Sequence, residues 1–228
     1  MSLACTTCPV RDSAACSVLE EAEREALART GRTRQIKRGD LLFAAGDEST
    51  ACATLVSGAL KVSSVDPDGT ERILALIHPA GFVGELFAPF AEHDVTALTD
   101  SRVCLFGRAD LDRAIETHPA LGRALLRRSQ EDLHESRRLL ELAGRKNAGD
   151  RVGGLLLALA HAASDSSCHP AARFELPLTR GEMASLLGLT IETVSRSLTA
   201  LVGSGAIRKT GARGIELLDP ARLEASSA

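Results

Sequence analysis

The stretch Thr179–Gly205, TRGEMASLLGLTIETVSRSLTALVGSG, leaves the chain little choice of local fold. It reads as two helices joined by a tight turn. Met183, Leu186 and Leu187 share one face of a first helix over Arg180–Leu187. Gly188 supplies the left-handed backbone that closes such a helix. Thr190 then caps a second helix over Ile191–Val202, with Val194, Leu198 and Leu201 as its inward stripe. Ala184 is small enough for the helices to cross closely, and Val194 plugs the corner. These offsets make a helix-turn-helix. Its outward face carries Glu192, Thr193, Ser195, Arg196 and Thr199. Arg can bond bidentately to guanine, Glu can accept from cytosine, and Ser can reach a base or a phosphate. The alternative is a solvated helix face in an all-α core.

A chain of 228 residues suits one large or two modest domains. Hydrophobic content of 44% and charged content of 25% are ordinary for a globular protein. No apolar run reaches the ~20 residues of a membrane helix, and the N-terminus lacks a signal-peptide pattern. The expected location is the cytoplasm, with no membrane partner. The net charge of −3 does not announce a nucleic-acid binder, but it is uneven. Residues 145–228 hold ten Lys/Arg against eight Asp/Glu (+2), and residues 1–144 hold seventeen against twenty-two (−5). A mildly basic end is compatible with DNA contact.

The chain before this end changes period twice. Residues 1–16 form a short arm with three cysteines. Ser17–Thr30 reads as a helix capped by Ser17, with Leu19, Ala22 and Leu27 inward. Short β-prone segments follow at 33–36, 41–44, 53–57, 60–64, 72–77, 95–98 and 102–106, separated by turn signals such as DPDG at 66–69. That pattern predicts an antiparallel barrel or roll. Leu111–Ala143 is helical, with Pro119 inside it. Leu126, Leu133 and Leu140 repeat every seven residues, and Ser129, Ser136 and Ala143 fill the intermediate seam positions. The helix either packs within its own chain or pairs with a symmetry mate; a parallel dimer is the expectation. Serine in place of leucine at 129 and 136 forgoes roughly 1.5–3 kcal/mol of apolar burial each, which makes such a seam marginal. After GRKNAG (144–149), a hinge, residues 150–163 form an amphipathic helix. A polar loop (164–172) and a strand (174–178) lead to the helix-turn-helix. Ile207–Leu218 reads as a hairpin wing in which Arg208, Lys209 and Arg213 could meet phosphates. Residues 221–228 read as a frayed end.

A β-roll, a long helix and a winged helix-turn-helix in this order resemble the cAMP receptor protein/FNR family of bacterial transcription regulators. The motifs that carry the resemblance are KRGDLLFAAGDEST (37–50), SGALKV (57–62), GFVGEL (81–86), KNAGDRV (146–152) and LTRGEMASLLGLTIETVSRSL (178–198). The expected fold class is α+β: a cysteine-rich arm (1–18), an antiparallel β-roll (19–110), a dimerisation helix (111–145) and a winged helix-turn-helix (146–228). The resemblance implies a homodimer on palindromic double-stranded DNA. Glu192, Ser195 and Arg196 would read bases, and Thr179, Arg180, Thr190 and Thr193 would hold phosphates, with Arg208 and Lys209 from the wing. Ser195 stands where the cyclic-nucleotide branch usually has Gly, and so resembles the FNR branch, whose half-site is similar to TTGAT. RNA polymerase would be a further partner, through exposed loops such as Asp66–Glu71.

The cyclic-nucleotide signature is incomplete. Glu85 in GEL matches the residue for the ribose hydroxyl. The arginine that should precede Ser/Thr-Ala is missing, since Val95-Thr96-Ala97 follows Glu92 and Asp94. A cyclic phosphate there would meet acids and no guanidinium, so GEL is expected to be retained fold architecture.

Cys5 and Cys8 form a C-x2-C pair, and Cys16 follows seven residues later. In the cytoplasm such cysteines are thiols or metal ligands rather than disulfides. Three cannot close an all-cysteine iron–sulfur site, so a fourth must come from the roll, where Cys52 and Cys104 lie. Cys104 resembles the FNR position of the fourth ligand, and the resemblance implies a [4Fe–4S] cluster on Cys5, Cys8, Cys16 and Cys104. A four-cysteine zinc site, a redox dithiol and an unstructured arm stay open from the cysteines alone. Cys52 reads as a core residue and Cys168 as incidental. The function expected is an oxygen-responsive transcription regulator. The alternatives are a regulator sensing haem, NO or another small ligand in the roll, or a zinc-stabilised DNA-binding protein. An enzyme is not expected, because the six histidines are scattered and form no triad or metal pair.

Overall fold

A computed structural model describes residues 5–164 and 168–225. The first four residues of the arm, part of the polar loop expected at 164–172 and the last three residues of the end expected to fray lie outside the described residues. The chain divides into two compact units, Met1–Ser136 and Arg137–Ala228.

The first unit opens with the arm, which holds two short 3-10 turns, Cys5–Thr7 and Ala15–Val18. Helix α1 (Glu21–Thr30) starts later than Ser17, because Glu20 and Glu23 form the capping box instead. Its inward residues are Arg24 and Leu27, while Ala22 faces out. Strands β1 (Gly31–Ile36), β2 (Leu41–Phe43), β3 (Ala51–Ser57), β4 (Leu60–Val65), β5 (Glu71–Ile77), β6 (Phe82–Val83), β7 (Asp94–Ala97) and β8 (Ser101–Gly107) follow. They pair antiparallel in two four-stranded sheets, β1-β8-β3-β6 and β2-β7-β4-β5. The two-residue β6 carries no periodic signal in the sequence. Between the sheets lies an aliphatic core that includes Ile36, Leu55, Leu60, Val83, Val95 and Val103.

The helical stretch begins earlier than expected and is interrupted. Helix α2 (Arg108–Thr117) stops at His118 (φ −126°, ψ 81°), because a residue before proline is pushed out of the helical region. Pro119 then opens α3 (Pro119–Ala143), where its missing N–H costs nothing. A second core joins Leu19 and Leu27 to Cys52, Phe106, Leu111, Leu121 and Leu125. Cys52 is therefore a core residue, as its sequence context suggested. A third cluster seats the arm: Val10 and Ala14 pack on Val56 and Ala80.

In the second unit, α4 (Ala148–Ala162) buries Val152, Leu155, Leu156 and Leu159. A three-residue strand β9 (Arg173–Glu175), shorter than expected, pairs with β11 (Gly214–Leu217), which pairs with β10 (Ile207–Thr210). Helices α5 (Arg180–Leu187) and α6 (Ile191–Gly203) form the helix-turn-helix. The chain does not fray at 221: α7 (Pro220–Ala225) docks against α4, with Leu223 fully buried. No helix among the described residues is long and apolar enough to cross a membrane.

Candidate nucleic-acid interface and cysteine pocket

The helix-turn-helix is built by its caps. Thr179 and Glu182 form a capping box at the start of α5, with the Thr179 N–H 2.6 Å from the Glu182 carboxylate. The Thr179 hydroxyl is engaged in that cap. Gly188 (φ 61°) ends α5, a conformation that a Cβ would oppose. Thr190 caps α6 by accepting from the Thr193 N–H at 3.2 Å. Val194, Leu198 and Leu201 face the core.

This leaves one face of α6 to solvent. Glu192 and Arg196 are exposed, and Ser195 is half-buried. Arg180 donates to the Ser195 hydroxyl at 3.3 Å, which ties α5 to α6. Arg196 donates to the Thr193 hydroxyl at 3.2 Å, and the Thr193 and Thr190 hydroxyls lie 3.0 Å apart. Six of the residues expected to contact DNA, Arg180, Thr190, Glu192, Thr193, Ser195 and Arg196, thus lie together. The Glu192 carboxyl is held below its usual range, first by its own backbone N–H, then by the Thr190 hydroxyl. It therefore stays an acceptor at neutral pH. The capped N-terminus of α6 adds a partial positive charge suited to a phosphate.

The wing is arranged differently from the simple expectation. Arg208 is paired with Glu216 at 2.9 Å, and the same carboxylate holds Arg173 at 2.8 Å. Lys209 is exposed, and its side chain has no hydrogen-bonded or ion-paired partner among the described residues. Arg213 is half-buried and donates to the Pro177 carbonyl at 3.5 Å.

In the first unit, Cys5, Cys8, Cys16 and Cys104 line one small pocket of about 40 Å³, walled by side chains such as Phe82, Phe106, Leu121 and Leu125. Cys104 comes from β8, opposite Thr33 of β1 and Thr54 of β3. Burial pushes its thiol up to about 12, and Cys8, Cys5 and Cys16 add to the shift. The Cys16 thiol is raised by burial, then by Cys8 and Cys5. Such thiols keep their protons at neutral pH unless a positively charged centre draws them off. The donor set therefore suits a thiophilic metal or cluster. Among the described residues, however, no group of three or more His, Cys, Asp and Glu side chains, these cysteines included, is placed so that it could hold a metal ion. Cys168 is exposed and lies in the other unit.

Two arginines that sequence reasoning missed hold the arm. Arg24 is 8% exposed and donates to the carbonyls of Cys16, Ser17 and Leu19. Its only sequence signal is its place three residues before Leu27 on the inward face of α1. Arg128 of α3 donates to the Ser13 carbonyl at 3.1 Å. On α3, Leu126, Leu133 and Leu140 are 66%, 48% and 74% exposed. Ser129 is exposed and Ser136 half-buried.

Gly84, Glu85 and Leu86 line a larger cavity in the roll, of about 570 Å³. At Gly84 (φ 116°) a Cβ would lie 2.9 Å from the Cys52 Cα. No lysine or arginine lines the cavity, in keeping with the missing arginine in the sequence.

A β-roll followed by a long helix and a winged helix-turn-helix defines a DNA-binding regulator, not an enzyme. Two family models match the chain: a cyclic nucleotide-binding domain over residues 33–118 and a Crp-like helix-turn-helix domain over residues 150–226. The transcriptional activator protein FnrL of Cereibacter sphaeroides is 33% identical over 222 residues, covering 96% of this chain and 90% of FnrL. The nitrogen fixation regulation protein FixK of Bradyrhizobium diazoefficiens is 34% identical over 230 residues, covering 98% and 94%. The solved structure of FixK2 from Bradyrhizobium japonicum superimposes with a TM-score of 0.77 at 27% identity, covering 87% of this chain and 98% of that one. The chain belongs to the CRP/FNR family of transcription regulators.

Proposed function

We propose that this regulator is a cytoplasmic, oxygen- or redox-responsive transcriptional activator that binds DNA as a homodimer. In this reading Cys5, Cys8, Cys16 and Cys104 hold a [4Fe–4S] cluster. The observation that carries it is the convergence of these four cysteines on one apolar pocket between the arm and the start of the long helix. When bound, such a cluster would supply an oxygen-labile, redox-active group held by these thiolates. The protein's own residues do the rest. Arg24 and Arg128 fasten the arm, and Leu121 and Leu125 wall the pocket at the start of α3. Leu126, Ser129, Leu133, Ser136 and Leu140 form the dimer seam. Dimerisation this marginal is open to control by a ligand that favours one state. Glu192, Ser195 and Arg196 read a TTGAT-like half-site, and Thr179, Arg180, Thr190, Thr193, Arg208 and Lys209 hold its phosphates. RNA polymerase engages exposed loops.

The test is anaerobic purification, followed by a visible spectrum, iron and sulfide analysis, and sedimentation before and after air. The expected result is brown protein with about four irons and four sulfides per chain, bleaching in air as the dimer dissociates. Colourless protein that binds DNA equally in air would refute it, and zinc without sulfide would favour a structural metal instead. A second reading, an effector taken up by the β-roll, is favoured by the 570 Å³ cavity.

A further inference from the structure

The segment between the long helix and the DNA-binding helices reads as a hinge in the sequence, GRKNAG over 144–149. In the folded second unit it is not free. Arg151, near the start of α4, is half-buried and reaches back to it. Its Nε donates to the Arg145 carbonyl at 2.6 Å, and its Nη1 donates to the Leu187 carbonyl at 3.1 Å. Leu187 is the last residue of α5, directly before the turn glycine Gly188. One guanidinium thus joins the linker to the corner of the helix-turn-helix.

The acceptors suit an arginine. The final carbonyls of a helix have no intrahelical partner and carry the negative end of its dipole. A guanidinium is always charged and holds its donors in a rigid fork, so one side chain can serve two carbonyls at a fixed separation. A second contact closes the linker from the other side. Leu142, 7% exposed in the last turn of α3, packs on α4 where Gly154 leaves room, and a Cβ at Gly154 would run into its side chain. The Arg145 side chain covers the same glycine, with its Nη1 2.9 Å from where that Cβ would lie. The last turn of α3, the linker, α4 and α5 are held together by this notch and this fork.

We propose that Arg151 is a positioning residue for DNA recognition: it fixes the helix-turn-helix on the end of α3, so that a dimer presents its two recognition helices at one separation. Without it the linker becomes a joint. Each helix-turn-helix then still binds a half-site, but no longer at a set distance from its mate. This rests on the homodimer reading above.

The test compares wild type with Arg151→Met, which keeps an apolar stem and removes the donors, both as full-length protein handled without oxygen. Fluorescence anisotropy gives the affinity for a single TTGAT-like half-site and for palindromes whose half-site centres lie about 10 bp apart, or up to about two bp closer or farther. Wild type should prefer one spacing. Arg151→Met should lose at least about tenfold in affinity there and bind all spacings within about threefold of one another, with half-site affinity unchanged. Amide hydrogen exchange reads the clamp directly. The N–H groups of Gly144 and Arg145 bond back to the Leu140 and Leu142 carbonyls, and they should exchange at least about tenfold faster in the variant. A variant that keeps the spacing preference, or that loses half-site binding as well, would overturn the positioning role. Unchanged exchange would overturn the clamp and leave the dimer reading standing. A wild type indifferent to spacing would overturn the dimer reading and the positioning role with it.

Discussion

Asp132 is a residue whose environment sets its chemistry. It lies four positions after Arg128 on α3, yet burial outweighs that neighbour and Glu131 adds to the rise. Its carboxyl stands at about 6 in the folded chain, against about 3.9 in an unfolded one. As pH rises from 4 to 6 the unfolded chain gives up this proton first. Stability therefore falls across that window, and the full cost is present above it. Asp132→Asn should raise stability above pH 6 by on the order of 1–2 kcal/mol once solvent screening is allowed for. The gain should vanish below about pH 4. Urea denaturation at pH 7.5 and pH 4 checks both, and a pH-independent gain would mean the burial cost is not electrostatic. Residue-scale roles were legible in the sequence where chemistry is local. Gly188 and Thr190 stand where their backbone and capping preferences put them. Arg24 was not legible, because a buried arginine is satisfied by carbonyls that only the folded arm brings near.

At the scale of elements, the strong periodic signals were reliable. Helices α5 and α6 and the strands of the roll lie within a few residues of their expected positions. Departures arose where tertiary contacts or a single bond decide. The two-residue β6 exists only through its pairing with β3, and α7 through its packing on α4. Pro119 divides a helix that composition alone would have continued. The seam of α3 offers an element-scale test. Ser136→Leu adds an apolar side chain between Leu133 and Leu140, worth roughly 1.5–3 kcal/mol if buried. The variant should dimerise and bind DNA in air, as measured by sedimentation and gel shift. A variant that stays monomeric and inactive in air would show that the seam is not the weak point of the dimer.

On the scale of the whole molecule, the order of parts was legible: arm, roll, long helix, winged helix-turn-helix. The 570 Å³ cavity was not, because its walls come from separate elements and GEL reads as fold architecture. The pairing of Arg208 and Arg173 on Glu216 was equally hidden. That shared carboxylate bears on how strongly binding responds to ionic strength. Each phosphate met by a cation sets free condensed counterions, and the slope of log affinity against log salt counts such contacts. In the free protein Arg208 shares the Glu216 carboxylate with Arg173, so if the wing meets DNA its engagement with a phosphate would exchange one partner for another, while Lys209 would contribute in full. Replacing Glu216 with Gln removes the competitor. The slope should then steepen by about 0.9, measured by fluorescence anisotropy from 50 to 200 mM salt. An unchanged slope would place Arg208 off the DNA. If Arg208 meets a phosphate, glutamate in place would damp the wing's response to salt, and occupancy of a promoter would then stay steadier as the ionic composition around it changes.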